Sequence, residues 1–386
     1  MISAEITSLL EPLERFESIR RRATRLGGRV SDLSYANPYE GARASARQAI
    51  MLTLTDERAL DLQYAPFGGQ TMSRRAAADA LSAEHDAPFS FRDIILTPGA
   101  MSALHLALRA AGQPEDEVVI PAPCWLDYPL YARTLELIPR MVPLTHERFD
   151  LDLEAVEDAL TERTCALLLC HPANPTGRNY QPDVLAGLCD VLRRAEQQHG
   201  CRVTLIADET HRDFSPEGAF TSVSAFHDRA LIVYSFGKYH FMQGQRLGYV
   251  AVSPRHPERE AVCEELVRWT RITGSATPTA LMQRALPRLL ALRHDIDWLD
   301  RSRTRLLEEL DTSGFVVVEP DATLFIYVRT PEGYDDDFAF IEELASRGLL
   351  ALPAPVFHHE GWFRLSLTGS DGMLSRASQV LKAVAA

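Results

Sequence analysis

The chain lacks the features that mark a small stapled domain, a membrane protein or a nucleic-acid binder. Its six cysteines among 386 residues form no C-x-x-C pair and no Cys/His array with zinc spacing. No metal site is therefore expected, and the thiols are read as reduced, packed as small hydrophobes. No apolar run reaches the ~18 residues needed to span a bilayer. Residues Met1 to Arg25 carry Glu5, Glu11, Glu14 and Glu17 and an Arg20-Arg21-Arg22 run, without the apolar core of a secretory signal, so a cytoplasmic protein is expected. Positive charge is in deficit: 40 Lys and Arg against 53 Asp and Glu leave a net −13. Such a surface repels phosphate backbones and anionic lipid, so neither nucleic acid nor membrane is expected as a partner. Internal repeats, low-complexity tracts and long Gly/Ser linkers are missing as well.

What is present is an ordinary globular composition, 46% apolar and 24% charged, in a chain long enough for two closely packed units. Between residues 90 and 255, short apolar runs alternate with helix-like segments, the pattern of a parallel α/β sheet covered on both faces. The runs are Ile94 to Leu96, Val118 to Ile120, Ala166 to Cys170, Val203 to Ala207, Ala230 to Tyr234 and Gly248 to Val252. Met101, Leu104, Leu108 and Ala111 share one helical face that Gly112 stops, and a second helix is predicted over Pro182 to Gln198. After Pro278 the spacing predicts one long charged helix, Ala280 to Ser313. Strands at Phe315 to Glu319, Leu324 to Arg329 and Phe363 to Leu367 follow, a smaller α+β unit.

Ligands of open parallel sheets bind beyond the carboxyl ends of the strands, so the residues just after each run are the candidates. Ile94 to Leu96 leads into Thr97-Pro98-Gly99-Ala100-Met101, a glycine turn opening a helix, whose free N–H groups suit an anion. Ala166 to Cys170 leads into His171-Pro172-Ala173-Asn174-Pro175-Thr176-Gly177, which reads either as a plain turn or as a fixed donor, Asn174, in the mouth of a site. Val203 to Ala207 ends in Asp208-Glu209-Thr210-His211; a carboxylate there is a helix cap or needs a buried cationic partner. Ala230 to Tyr234 ends in Ser235-Phe236-Gly237-Lys238, with Arg246 shortly after. Such a lysine is a surface charge unless low dielectric and cationic neighbours lower its pKa for imine formation.

Taken together from Tyr64 to Arg364, these motifs resemble those of the fold-type I pyridoxal-phosphate (PLP) enzymes, specifically the class I/II aminotransferases related to aspartate aminotransferase. The resemblance implies an α/β fold: a large domain with a mainly parallel seven-stranded sheet at residues 46–285, and a smaller α+β domain from 1–45 and 286–386 that includes an N-terminal arm. It implies pyridoxal 5'-phosphate as cofactor, Lys238 as its Schiff-base lysine and proton shuttle, and Asp208 as partner of the pyridine nitrogen. Asn174 falls on the donor to the phenolic oxygen, and Trp125 on the ring stacked against the pyridine. Ser235 and Arg246 fall on the phosphate ligands, with Gly99 and the N–H groups of Ala100 and Met101 completing the cup. Tyr64, in Tyr64-Ala65-Pro66-Phe67-Gly68-Gly69, resembles the tyrosine that reaches the neighbouring subunit's phosphate, which implies a homodimer with shared active sites. Arg364 resembles the clamp on the substrate α-carboxylate, a task for a planar bidentate fork, and Asn37 falls on the substrate side. The expected reaction moves an amino group between an L-amino acid and a 2-oxo acid.

Three departures stand out. His211 occupies a cofactor-binding position where the family commonly has tyrosine; a histidine ordinarily titrates near neutrality, and the pattern also occurs in the family's C–S β-lyases. The alternative is therefore PLP-dependent elimination or substitution on an amino acid. Gly237 stands where serine is frequent. The stretch from Tyr239 to Gln245 is unusual, and in it His240 reads as a packed surface histidine ahead of a substrate contact. Arg271, before Gly274-Ser275-Ala276-Thr277-Pro278, sits where some relatives carry an arginine for dicarboxylate substrates.

Overall fold

In the computed structural model, which describes residues 2–25, 30–38, 44–55, 62–274 and 277–385, the six apolar runs all form strands, and a seventh joins them. They are β1 (Ile94–Thr97), β2 (Glu117–Ala122), β3 (Ile138–Pro143), β4 (Thr164–Cys170), β5 (Thr204–Asp208), β6 (Ala230–Ser235) and β7 (Gly248–Val252). Their order is β1-β7-β6-β5-β4-β2-β3. Only β7 runs antiparallel to its neighbours; the remaining pairs are parallel. Helices on both faces explain the unbroken apolar runs, since β4, β6 and β7 are buried along their whole length.

Three readings of elements are corrected, two in the chain's larger elements and one in the smaller sheet. Edge strand β3 was not read from the sequence: its IPRMVP is half exposed and carries two prolines, which an edge strand accommodates more easily than an interior one. The single helix from Ala280 to Ser313 is two, Ala280–Leu290 and Asp297–Thr312. Between them the backbone N–H of His294 is drawn to the Tyr239 hydroxyl at 3.0 Å, and the Asp295 carboxylate takes the N–H of Asp297 at 2.9 Å, which starts the second helix.

The smaller sheet is antiparallel: β8 (Val317–Val318), β9 (Phe325–Arg329), β10 (Leu352–Pro353) and β11 (Trp362–Ser366), in the order β10-β11-β9-β8. The expected strand Phe315 to Glu319 thus shrinks to two residues. The charged N-terminal stretch is a helix, Ala4–Arg25, that buries Phe16, Ile19 and Ala23 and joins the smaller sheet's core. After it, Ser31–Asp32 pairs in parallel with Leu349–Leu350. Among the described residues no helix is long and apolar enough to cross a membrane, no cluster could hold a metal, and the six cysteines are free.

Candidate active site

One edge of the large sheet collects the candidate residues. Strands β1, β4, β5 and β6 end there, and antiparallel β7 begins there, with Gly248 paired to both Thr97 and Ser235. The reversed strand is what brings Arg246, just before it, to the same edge. Close approach is possible because Gly248 has no side chain: a Cβ there would lie 2.4 Å from the Tyr234 carbonyl oxygen and 2.9 Å from the carbonyl carbon of Gly99.

Gly99 caps the helix Ala100–Ala111 at φ +84°, ψ 177°, a conformation reserved for glycine. A Cβ on it would stand 2.6 Å from Nη2 of Arg246, so the guanidinium lies directly on the helix head. The first-turn N–H groups of Ala100 and Met101 have no intrahelical acceptor. Arg246 holds φ +46°, a strained value for a side-chain-bearing residue, and donates from Nη1 to the Gln243 carbonyl at 3.0 Å. Ser235 caps the four-residue helix Phe236–Tyr239, its hydroxyl accepting the Gly237 N–H at 3.3 Å. Glycine at 237 has a local cause: a Cβ would lie 3.1 Å from Cα of Gln243.

Lys238 sits in that short helix. Burial pushes its pKa down to about 8, Arg364 and Arg246 push the same way, and Asp208 opposes them. Asp208, at the end of β5, is 7% exposed. Burial raises its pKa, against which it accepts the Thr210 N–H at 3.1 Å and the Tyr128 hydroxyl at 2.8 Å. Tyr128 was not singled out from the sequence.

Arg364, on β11, is 1% exposed, which excludes a solvent-facing strand arginine. Its Nη1 donates to Oδ1 of Asn174 and its Nη2 to the carbonyl of Ser34, each at 2.7 Å. The guanidinium carbon lies 3.9 Å from the ring centre of Phe325 and 4.8 Å from that of Phe357. Burial lowers its pKa to about 9, and its Nε is buried without a partner. Trp125, half-buried against the core on one face of the large sheet, follows Cys124, whose N–H reaches the Phe357 carbonyl at 3.1 Å. The segment carrying the tryptophan is thereby tied to the platform under Arg364.

His211 corrects the expectation of a group titrating near neutrality. It is buried, with its ring 5.4 Å from Phe325. Burial, then the charges of Lys238 and Arg364, hold its pKa well below the usual histidine range, so the imidazole is neutral; its Nδ1 is buried without a partner. His240 is not on the surface either: it is buried, with Nδ1 2.8 Å from Nε2 of His294.

Three candidates are exposed in the single chain. Tyr64 is fully exposed. Asn37 is exposed, its N–H on the Tyr35 carbonyl at 2.8 Å, although the adjacent Ala36 carbonyl accepts Nε2 of Gln243 at 2.8 Å; Tyr39, Glu40 and Gly41 lie outside the described residues. Arg271 is exposed, 5.6 Å from the ring centre of Phe67, and Ser275 and Ala276 after it are outside the described residues. Composition alone also singles out the lysine: the chain holds only two, Lys238 and Lys382, and Lys382 is exposed on the last helix.

Comparison with known proteins places this geometry in context. The profile of the family described as aminotransferase class I and II matches residues 31–381. A bifunctional aspartate aminotransferase and glutamate/aspartate-prephenate aminotransferase from Petunia hybrida is 28% identical, over 83% of this chain and 70% of its own. An aspartate/prephenate aminotransferase from Thermus thermophilus is 28% identical over 88% and 85%. Among solved structures, an amino transferase from Eubacterium rectale superimposes with a TM-score of 0.90 at 26% identity, covering 100% of this chain and 98% of that one. A double mutant of the Thermus thermophilus aspartate aminotransferase gives 0.86 at 26% identity, covering 96% of each.

Proposed function

The chain belongs to the class I and II aminotransferase family, and from that premise we propose that it binds pyridoxal phosphate at the described sheet edge and transfers an amino group from an L-amino acid to a 2-oxo acid. The observation that carries this reading is the meeting of one lysine, held near pKa 8, with the charges of Arg364, Asp208 and Arg246. The residues fit the cofactor. Arg246 pressed on the head of the helix at Gly99 makes an anion seat for the phosphate, with Ser235 and the N–H groups of Ala100 and Met101 beside it. The Asp208 carboxylate suits a protonated ring nitrogen, Asn174 and His211 suit the phenolic oxygen, and the half-buried face of Trp125 suits stacking. When bound, the cofactor supplies an aldehyde for the amine and a ring that accepts electrons.

The chain's own residues do the rest. Arg364 takes the substrate α-carboxylate on a rigid, dry platform, which orients the α-carbon. Lys238, whose amine is mostly neutral above about pH 8, would accept the substrate α-proton on Nζ and later give that same proton back. Asp208 remains charged to hold the ring nitrogen protonated, helped by the Tyr128 hydroxyl. We assign the cofactor to residues 46–285, with 1–45 and 286–386 as the smaller unit. We further propose a cytoplasmic homodimer, in which exposed Tyr64 completes the partner's phosphate seat and Asn37 borders the substrate.

Incubation of the holoenzyme with single amino acids and no oxo acid tests the reaction. One equivalent of 2-oxo acid per site, with conversion of the cofactor to its amine form, is expected. Sustained release of pyruvate or ammonia would instead assign elimination, the chemistry to which His211 points.

A further inference from the structure

The guanidinium of Arg364 is aimed by two oxygens, neither of them charged: Oδ1 of Asn174 and the main-chain carbonyl of Ser34. Aromatic rings cover it, its Nε has no partner, and Tyr35 and Tyr327 are the groups whose charge would oppose the fall in its pKa. A main-chain carbonyl cannot turn without its peptide, so the direction of one of the two restraints is set by the conformation of residues 32–35.

At Ser34 itself that conformation is closed by one carboxylate. Oδ1 of Asp32 accepts both the N–H of Ser34, at 3.1 Å, and the Ser34 hydroxyl, the side-chain-to-backbone closure that fixes such turns. Its Oδ2 accepts Nε of Arg20 at 2.8 Å. Arg20 lies on the N-terminal helix, and Glu17 of the same helix accepts the Tyr35 hydroxyl at 2.7 Å. The flanking backbone is anchored too: Leu33 donates to Leu350 at 2.9 Å, and Ser366 donates to Leu33 at 2.8 Å. Asp32 is 8% exposed and touches Arg364 only through the turn.

We propose that Asp32, seated by Arg20, is a positioning residue for the substrate-carboxylate clamp, so that the N-terminal helix takes part in substrate selection. The proposal rests on the reading of Arg364 as that clamp. A mere latch for the N-terminus would affect stability; a positioning residue affects how strongly a carboxylate is preferred.

The test uses Asp32→Ala, Asp32→Asn, Arg20→Ala and Arg364→Lys beside the unaltered enzyme. The readouts are kcat and KM for an amino acid and for the amine lacking its carboxylate, and the calorimetric affinity of a non-reacting carboxylic acid for the cofactor-free protein. For Asp32→Ala the expected result is a KM for the amino acid about tenfold higher with kcat within about twofold, the effect of losing ground-state binding. The preference for amino acid over amine and the carboxylic-acid affinity fall in proportion, with Asp32→Asn and Arg20→Ala intermediate. Should Asp32→Ala fail to fold, Arg20→Ala, altered at the half-exposed end of the relay, carries the expectation in the same direction and to the smaller extent just given. Unchanged preference and affinity in the Asp32 and Arg20 variants, while Arg364→Lys loses both, overturns this proposal alone. Unchanged preference in Arg364→Lys overturns the clamp and this proposal with it.

Discussion

At the scale of residues, Lys238 is governed by the loss of water around it. Burial, with Arg364 and Arg246 beside it, takes its pKa from 10.5 to about 8. A base whose folded pKa lies below its unfolded one folds best when neutral. This contribution is therefore fully present above 10.5, declines as pH falls, and is lost below about 8. The same shift sets reactivity: the rate at which the cofactor-free protein captures an aldehyde should rise with pH to a midpoint near 8. Stopped-flow absorbance against pH checks this, and a midpoint at the ordinary lysine value would contradict it. Lys238, Asp208, Asn174 and Arg364 were legible because each follows or sits within an apolar strand. Tyr128 and Ser34 were not, because their contacts bridge 80 and 330 residues of sequence, and no local pattern announces such a contact. His211 was legible as a position but not as a chemical state, since its neutrality comes from burial and from neighbours on other elements.

At the scale of elements, the site depends on β7 running against its neighbours at close quarters. With 2.4 Å between a would-be Cβ on Gly248 and the Tyr234 carbonyl oxygen, and Gly99 behind it, one methyl group must push β7, and Arg246 with it, off the helix head. Gly248→Ala should cost roughly 1–3 kcal/mol, as overpacking does, and should weaken cofactor binding as well. Urea denaturation and a cofactor titration measure the two, and an unaltered affinity would mean that the anion seat does not depend on this approach. The strands of the large sheet were readable because both faces are buried and their apolar runs are unbroken. Edge strand β3 was not, being half exposed and proline-bearing. The break at residues 291–296 was also hidden, because what ends the first helix is partly a hydroxyl from Tyr239, far away in the sequence.

At the scale of the whole molecule, the single chain leaves Tyr64, Phe67, Met72, Met101 and Ile272 exposed, large apolar side chains whose cover by a second copy would remove them from water. A second copy covering it fits the incomplete position of Tyr64. Sedimentation should give about twice the chain mass of 43.1 kDa, and a mass of one chain would remove the shared-site proposal. The central claim, that one lysine in this sheet edge holds the cofactor, meets a sharp test because only Lys238 and Lys382 exist. Borohydride reduction of the holoenzyme followed by peptide mass mapping should find the cofactor fixed to Lys238. Fixation to Lys382, or to neither, would contradict the account.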